Sequence, residues 1–336
     1  MILKKICFLI TTRGNYGKTK TIIENLRGKA KLQYIISDGC PTIGFVGNIN
    51  RINIFEPIDL CAVQLSEDAK RILSELKPEI LVIVADRFEC LPFAMIAYYM
   101  GIQIAHIEGG ELSGNLDEGI RHAITKLASV HFCCGKDATQ RIIRLGENPN
   151  AVFNVGATSF DLLKKYGVYK KTYPYIVQIV HPSEDIDIDV INNATNSFNI
   201  EVVWIDSNID RDSVQINKNK VRLSFTTETF AELLKNAMCI VGNSSSGIRE
   251  SSFFGVPSVN IGNRQNNRIK HKNIITVECK TDDIKEAISK QMSHGLYEPD
   301  FTYGDGNAGN KIADILLNND FSTQKVFYEG TWNNPC

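Results

Sequence analysis

The sequence has no excess of charge of either sign, no C-x-x-C pair, no internal repeat and no long apolar run, and each absence removes a class of function. Lys and Arg number 37 against 38 Asp and Glu, a net charge of -1, so there is no broad basic field for a nucleic-acid backbone or an anionic membrane. No segment reaches the roughly 18 uninterrupted apolar residues of a membrane helix. Met1 to Thr12 holds Lys4, Lys5 and a short apolar run. Ile6 to Ile10 is nevertheless too short for the apolar region of a secretory signal, no small-residue cleavage site follows, and Arg13 to Lys20 continues as a charged turn and helix start. The 9 cysteines are scattered, with Cys133 and Cys134 adjacent, and spell neither a zinc site nor a disulfide framework. Reduced thiols in a cytoplasmic protein with a small-molecule ligand are the expectation.

What is present is a folded chain of average composition, 43% hydrophobic and 22% charged over 336 residues. That length suggests two domains of about 150 residues. Short β-branched runs recur between helix-like stretches: Ile6–Thr11, Leu32–Ser37, Ile80–Ala85, Ile102–Ile107, Val130–Cys134 and Val152–Val155. A second series follows at Ile176–Val180, Ile200–Ile205, Met238–Val241, Ser258–Ile261 and Ile274–Val277. Continuous apolar runs of this length are the pattern of buried parallel strands, and two series imply two doubly wound α/β domains. Lys164–Tyr175, with Pro174, is the linker candidate. The expected division is 1–168, 169–317, and a polar tail 318–336 that either packs back on the first domain or frays.

Ligands of open α/β sheets bind beyond the carboxyl ends of the strands. The residues following the apolar runs there are Arg13, Asp86-Arg87-Phe88-Glu89, Glu108-Gly109-Gly110-Glu111, His181 and Asn243-Ser244-Ser245-Ser246-Gly247. Two facing domains would direct these loops into one cleft. The serines precede a helical pattern, Ile248–Phe254, where hydroxyls, free N–H groups and the helix dipole suit a diphosphate, although serines at this place also serve as ordinary caps. Glu250, one turn on, suits ribose hydroxyls or simply the helix start. Asp117/Arg121 and Glu118/His122 are spaced i,i+4, which by itself reads as a solvated, ion-paired helix face. Glu108 precedes two glycines that permit close approach, and several carboxylates in one place invite general acid/base chemistry. His106, inside its run, reads as a hydrogen-bonded core histidine, and His181 as the better catalytic or phosphate-contact candidate. Gly17-Lys18-Thr19 nearly completes a P-loop, but Thr12 stands where its first glycine belongs.

These motifs resemble the hydrolysing UDP-N-acetylglucosamine 2-epimerase family, the branch that supplies N-acetylmannosamine-type sugars for sialic and legionaminic acid synthesis. The similarity runs through Thr11-Thr12-Arg13, Ala85 to Glu89, Ala105 to Gly114, Asp117 to Leu127, His181-Pro182, Asn243 to Glu250 and Asn260 to Arg268. The resemblance implies two Rossmann-like domains of the glycosyltransferase-B type with an interdomain active-site cleft. It implies Asp86, Glu108, Glu118 and His181 as catalytic residues, and Arg13, Asn243, Ser244, Ser245, Ser246, Gly247, Glu250, Arg264 and Arg268 as the substrate and nucleotide set. It further implies a UDP-sugar substrate, a UDP product, no metal, no cofactor and a homodimer. The family reaction eliminates UDP to a 2-acetamidoglucal and then hydrates it. The chain departs from the family at Asn15, where an acidic residue is usual, and in the acidic stretch Ser183–Asp187. The alternatives are a UDP- or GDP-linked 2,4-diacetamido-2,4,6-trideoxy substrate, a transferase of the same architecture, or a non-catalytic nucleotide-sugar binder.

Overall fold

The computed structural model of the chain describes residues 3–38, 40, 47–56, 58–113, 116–168, 170, 173–205, 226–266, 268 and 271–330. Gly114 and Asn267 of the motifs above and the Arg13 side chain lie outside it. The chain divides into two compact units, Met1–Asp161 with Gly304–Cys336, and Leu162–Tyr303.

The first unit alternates strand and helix in the order β1 (Lys5–Ile10), α1 (Arg13–Leu26), β2 (Lys31–Ser37), β3 (Asn48–Ile52), α2 (Ile58–Leu76), β4 (Ile80–Val84), α3 (Cys90–Tyr99), β5 (Gln103–Ile107), α4 (Asp117–Leu127), β6 (Val130–Cys133), α5 (Lys136–Arg144) and β7 (Val152–Asn154). Helix α6 (Ser159–Tyr166) spans the division between the units. The seven strands form one parallel sheet in the order β3-β2-β1-β4-β5-β6-β7. Burial on both faces explains the unbroken apolar runs. Ile6, Phe8 and Ile10 of β1 enter one core layer with Val82 and Val84, while Cys7 and Leu9 enter the other with Leu81 and Ile83. The buried thiols behave as small apolar filler, and burial pushes the Cys133 thiol up to about 12.

The second unit contains β8 (Tyr175–Ile179), α7 (Ile188–Thr195), β9 (Glu201–Trp204), α8 (Thr227–Asn236), β10 (Cys239–Gly242), α9 (Arg249–Phe254), β11 (Ser258–Ile261), β12 (Ile274–Val277) and α10 (Thr281–His294). Its five-stranded parallel sheet has the order β12-β11-β10-β8-β9. The order reverses between β1 and β4 in one sheet and between β8 and β10 in the other, and those are the positions where polar residues follow the strands.

Helix α11 (Ala308–Asn318) returns the chain to the first unit. Its start is held by Asp161, whose carboxylate accepts from Ala308 N at 2.8 Å, Gly309 N at 2.6 Å and Thr21 Oγ1 at 2.9 Å. This anchor accounts for a division at Asp161, inside α6, instead of in the Lys/Tyr-rich stretch that follows. As far as residue 330, the described tail runs without a helix after Asn318 and packs on unit 1. Tyr328 N donates to Gly146 O at 2.9 Å, the Phe327 ring lies so close to Gly146 that a Cβ there would be 2.3 Å from it, and Lys325 pairs with Glu147.

Glu147 is 2% exposed and also accepts from Lys126 at 2.7 Å and His131 at 3.2 Å. Burial alone would raise its pKa, but His131, Lys126 and Lys325 together bring it down to about 2. A carboxylate depressed in the folded state adds stability above its unfolded pKa, ordinarily 4.5, and loses it as pH falls toward 2. Burial also depresses His131, so protonation of that ring in the unfolded chain removes further stability as pH falls below 6.5. Urea titrations of wild type and Glu147→Gln are therefore expected to differ by on the order of 3 kcal/mol near pH 7 and to converge below about pH 4.5. A gap independent of pH would show that the Glu147 charge is not what holds the tail.

Candidate active site

Two neighbouring strands of unit 1 end in the same unusual way. Ala85, after β4, and Glu108, after β5, both have left-handed backbones, with φ of 59° and 62°. Ala85 N donates to Ile107 O at 2.8 Å and Glu108 N to Phe132 O at 2.9 Å, so each turn is tied to the next strand. Asp86 follows the first turn and pairs with Arg121 of α4. Arg121 is 4% exposed and also donates to Glu111 O at 2.7 Å, with Ser113 Oγ at 3.3 Å. The solvated-face expectation for this helix therefore fails at Arg121, because α4 buries it together with Ile124 and Thr125. Its partner is Asp86, 35 residues away.

Glu108 is 4% exposed and pairs with Lys18. Gly17, Lys18 and Thr19 are interior residues of α1, so the near P-loop forms no phosphate cradle. Glu118 accepts from Ser113 N at 2.6 Å and lies 3.7 Å from His122 Nε2. Its neighbour Asp117 is the residue coupled to Asp86: burial raises the Asp117 pKa, and the Asp86 charge raises it further against the pull of Arg87 and Arg121. Glu89 is fully buried with Arg87 Nε at 2.9 Å. Gly109 and Gly110 admit protein atoms closely. A Cβ on Gly109 would lie 2.9 Å from His106 Nδ1, and one on Gly110 2.5 Å from Ala138 O.

In unit 2, Gly242 ends β10 with φ of 137°, and a Cβ there would fall 1.9 Å from Ile179 O. The next residue, Asn243, joins the two central strand ends. Its Oδ1 accepts from His181 N at 2.7 Å and its Nδ2 donates to His181 O at 2.9 Å. The Asn243 carbonyl accepts from Arg264 at 3.2 Å and Gln265 at 2.9 Å. Asn243 thus fixes His181 and the Arg264 segment around one strand end.

Ser244 performs the capping role, accepting from Ser246 N at 3.3 Å. Ser245–Gly247 form a 3-10 turn before the six-residue helix α9, so the macrodipole contribution expected at this helix start is small. Ser245 and Ser246 are partly exposed. Among the described residues, Glu250 Oε2 and Arg268 Nη1 are buried atoms without a hydrogen-bond partner.

Lys18, Arg121 and Asp117 are the residues whose roles the sequence did not disclose. Each role arises from contacts between separate elements, which linear spacing does not encode.

Two parallel sheets with polar clusters at their switch points define a doubly wound α/β protein of the kind that handles nucleotide-linked ligands. The model of the family described as UDP-N-acetylglucosamine 2-epimerase matches residues 60–317, and the chain belongs to that family. It is 29% identical to the UDP-N,N'-diacetylbacillosamine 2-epimerase (hydrolyzing) of Legionella pneumophila, covering 94% of this chain and 96% of that protein. It is 27% identical to the UDP-N-acetylglucosamine 2-epimerase of Neisseria meningitidis, covering 97% and 99%. The fold is similar to that of Methanocaldococcus jannaschii UDP-GlcNAc 2-epimerase, solved in complex with UDP-GlcNAc and UDP, with a TM-score of 0.76, 18% identity and coverage of 93% and 99%.

Asn243 is fully buried, and its two bonds to His181 set the next expectation. Asn243→Ala should lower the unfolding free energy by about 2 kcal/mol in urea titration. Asn243→Asp, though the same shape, should cost at least as much, because an oxygen then faces the His181 carbonyl. A wild-type midpoint for the Asp variant would show that the clasp contributes nothing.

Proposed function

We propose that the protein converts a UDP-linked 2-acetamido sugar and water into UDP and the free sugar inverted at C2, with UDP-N-acetylglucosamine and N-acetylmannosamine as substrate and product. The observation that carries this reading is the trio of carboxylates in unit 1. Asp86 is paired with Arg121 and Glu108 with Lys18, while burial and Asp86 push Asp117 toward its protonated form.

A C2 hydrogen with no adjacent carbonyl is hardly acidic, so its removal must accompany departure of the diphosphate. A carboxylate takes the C2 proton, the C–H electrons become the C1–C2 double bond, and the C1–O bond breaks with its electron pair leaving on UDP. Water then adds its oxygen at C1 and loses a proton, while C2 receives a proton on the opposite face. The transition state carries positive charge at C1, which nearby carboxylates stabilise. Asp86, Glu108 and Glu118 are the carboxylates that the family resemblance places in the reaction, and burial with the Asp86 charge makes Asp117, beside Glu118, a further group suited to hold a proton.

Unit 2 supplies the nucleotide contacts in this reading. The Ser245 and Ser246 hydroxyls, the turn's N–H groups, Arg264 and Arg268 suit the departing diphosphate. Glu250 suits ribose hydroxyls, and His181 a phosphate oxygen or proton transfer. The relative of Legionella pneumophila, named as hydrolyzing and as acting on UDP-N,N'-diacetylbacillosamine, supports the hydrolysing course. It also favours a second substrate, the UDP-linked 2,4-diacetamido-2,4,6-trideoxy sugar.

Proton NMR in D2O with each nucleotide sugar tests the proposal. UDP release with free N-acetylmannosamine deuterated at C2 is expected, turnover of the diacetamido sugar alone would reassign the substrate, and UDP release without C2 exchange would overturn the mechanism. Glu108→Gln and Asp117→Asn should each lower kcat by about 10²-fold or more while UDP affinity, measured by calorimetry, stays near wild type. Near-normal turnover in either variant would remove that carboxylate from the reaction.

A further inference from the structure

His106 lies on β5, two residues before Glu108, and is fully buried. Its Nε2 is 2.8 Å from the carbonyl oxygen of Ala85, the left-handed residue immediately before Asp86. Its Nδ1 is 3.1 Å from Thr125 Oγ1, on the α4 helix that carries Asp117 and Arg121. On its third side the ring lies against Gly109, where a Cβ would come 2.9 Å from Nδ1 and 3.2 Å from Cε1. One imidazole therefore touches all three segments that bear the carboxylates: the turn after β4, the turn after β5, and α4.

The contacts assign the tautomer. A carbonyl oxygen has no proton to give, so Nε2 must carry the hydrogen that bonds Ala85. In a neutral ring Nδ1 is then bare, and the proton must come from Thr125. That hydroxyl has one proton and two acceptors within reach, His106 Nδ1 and Arg121 O at 3.0 Å. The buried imidazole nitrogen has no other donor among the described contacts, which directs the proton to it. Burial, reinforced by His131, Arg121 and His122, pushes the His106 pKa down to about 3, with only the Ala85 carbonyl pulling the other way. The ring is accordingly neutral near pH 7 and does not itself exchange protons with a substrate.

We propose that His106, as the Nε2–H tautomer fixed by the Ala85 carbonyl and held by Thr125 at Nδ1, is a positioning residue that sets Asp86, Glu108 and Asp117 relative to one another. The proposal rests on the reading of those carboxylates as the acid/base groups. A left-handed alanine is disfavoured by about 1–2 kcal/mol and persists only when its surroundings hold it. The bond from His106 to the Ala85 carbonyl, together with Ala85 N to Ile107 O, supplies that hold. Releasing the carbonyl frees the peptide that aims Asp86, and displacement of a reacting group by about 1 Å can cost about 10²-fold in rate.

Two variants and one spectrum test this. His106→Gln can reach Ala85 with its amide but cannot also accept from Thr125 and fill the ring's place under Gly109. Thr125→Val keeps the helix side chain's shape and removes the hydroxyl that holds Nδ1. Both should retain wild-type UDP affinity and KM. The kcat should fall by about 10²-fold in His106→Gln and by a smaller factor, about 10-fold, in Thr125→Val. A kcat within about twofold of wild type in both variants overturns the proposal. The readout that does not depend on turnover is the imidazole ¹⁵N spectrum of the wild-type protein. A single Nε2–H tautomer from pH 5 to 8 is expected in the wild type and in Thr125→Val alike, because the Ala85 carbonyl remains in both. An Nδ1–H ring or a protonation step in that range overturns the assignment even if no nucleotide sugar is turned over, so failure of the proposed reaction is told apart from failure of this inference.

Discussion

Ala85 and Glu108 leave adjacent parallel strands with left-handed backbones, and the acidic end of unit 1 depends on holding them there. Neither is glycine, so each turn carries a conformational cost of about 1–2 kcal/mol. The sheet opposes that cost by continuing its ladder one residue past each strand, Ala85 to Ile107 and Glu108 to Phe132. The glycines that follow Glu108 are then required by packing. Gly109 accommodates His106, and Gly110, with φ of 76°, accommodates Ala138 and gives its carbonyl to Arg141 at 2.9 Å. A turn that ends one strand is thereby wedged against the strand beside it and the helix beyond.

Once the turns are fixed, charge becomes the governing constraint. Burying a carboxylate without a partner is far costlier than leaving it in water. Unit 1 answers with a separate cation for each of three acids: Lys18 for Glu108, Arg121 for Asp86, and Arg87 for Glu89. Asp117 sits among these pairs under the added influence of the Asp86 charge, and its pKa rises for that reason as well as from burial. The same principle operates at the last turn of α4, where Lys126, His131 and Lys325 bring Glu147 low and fasten the tail.

The sequence disclosed the strands because burial on both faces of a parallel sheet writes itself as unbroken apolar runs, and each of the runs read there contains a strand. Strand β3, Asn-Ile-Asn-Arg-Ile, was missed because it pairs only with β2 at the sheet edge and buries only Ile52. The candidate site was legible at the strand ends, since connectivity alone puts residues there. The partners were not. Lys18 looked like a remnant of a phosphate loop and Arg121 like a solvated helix residue, because a contact across 35 or 90 positions leaves no periodicity to read. The serine segment was legible in kind, but its local conformation, a cap and a 3-10 turn before a short helix, emerged only with the backbone.

The two departures from the family pattern have local physical explanations. Asn15 is buried. Its Nδ2 donates to Thr11 Oγ1 at 3.3 Å and its Oδ1 lies 3.2 Å from Thr12 Oγ1, a donor and acceptor pair that a carboxylate could not supply. The acidic stretch after His181 is likewise engaged in folding. Asp185 accepts from Asn263 N at 2.7 Å, its pKa is lowered by the bond from Ser183, and it packs so tightly on Gly262 that a Cβ there would fall 2.3 Å from its oxygen. Asp187 caps α7 through Asp189 N at 2.9 Å. Asp185 latches the loop after β8 to the loop after β11, the two segments that present His181 and Arg264. Additional acid in this half of the chain therefore adds rigidity around those residues, whereas Asp86 and Glu108 in unit 1 are each matched by a cation from another element.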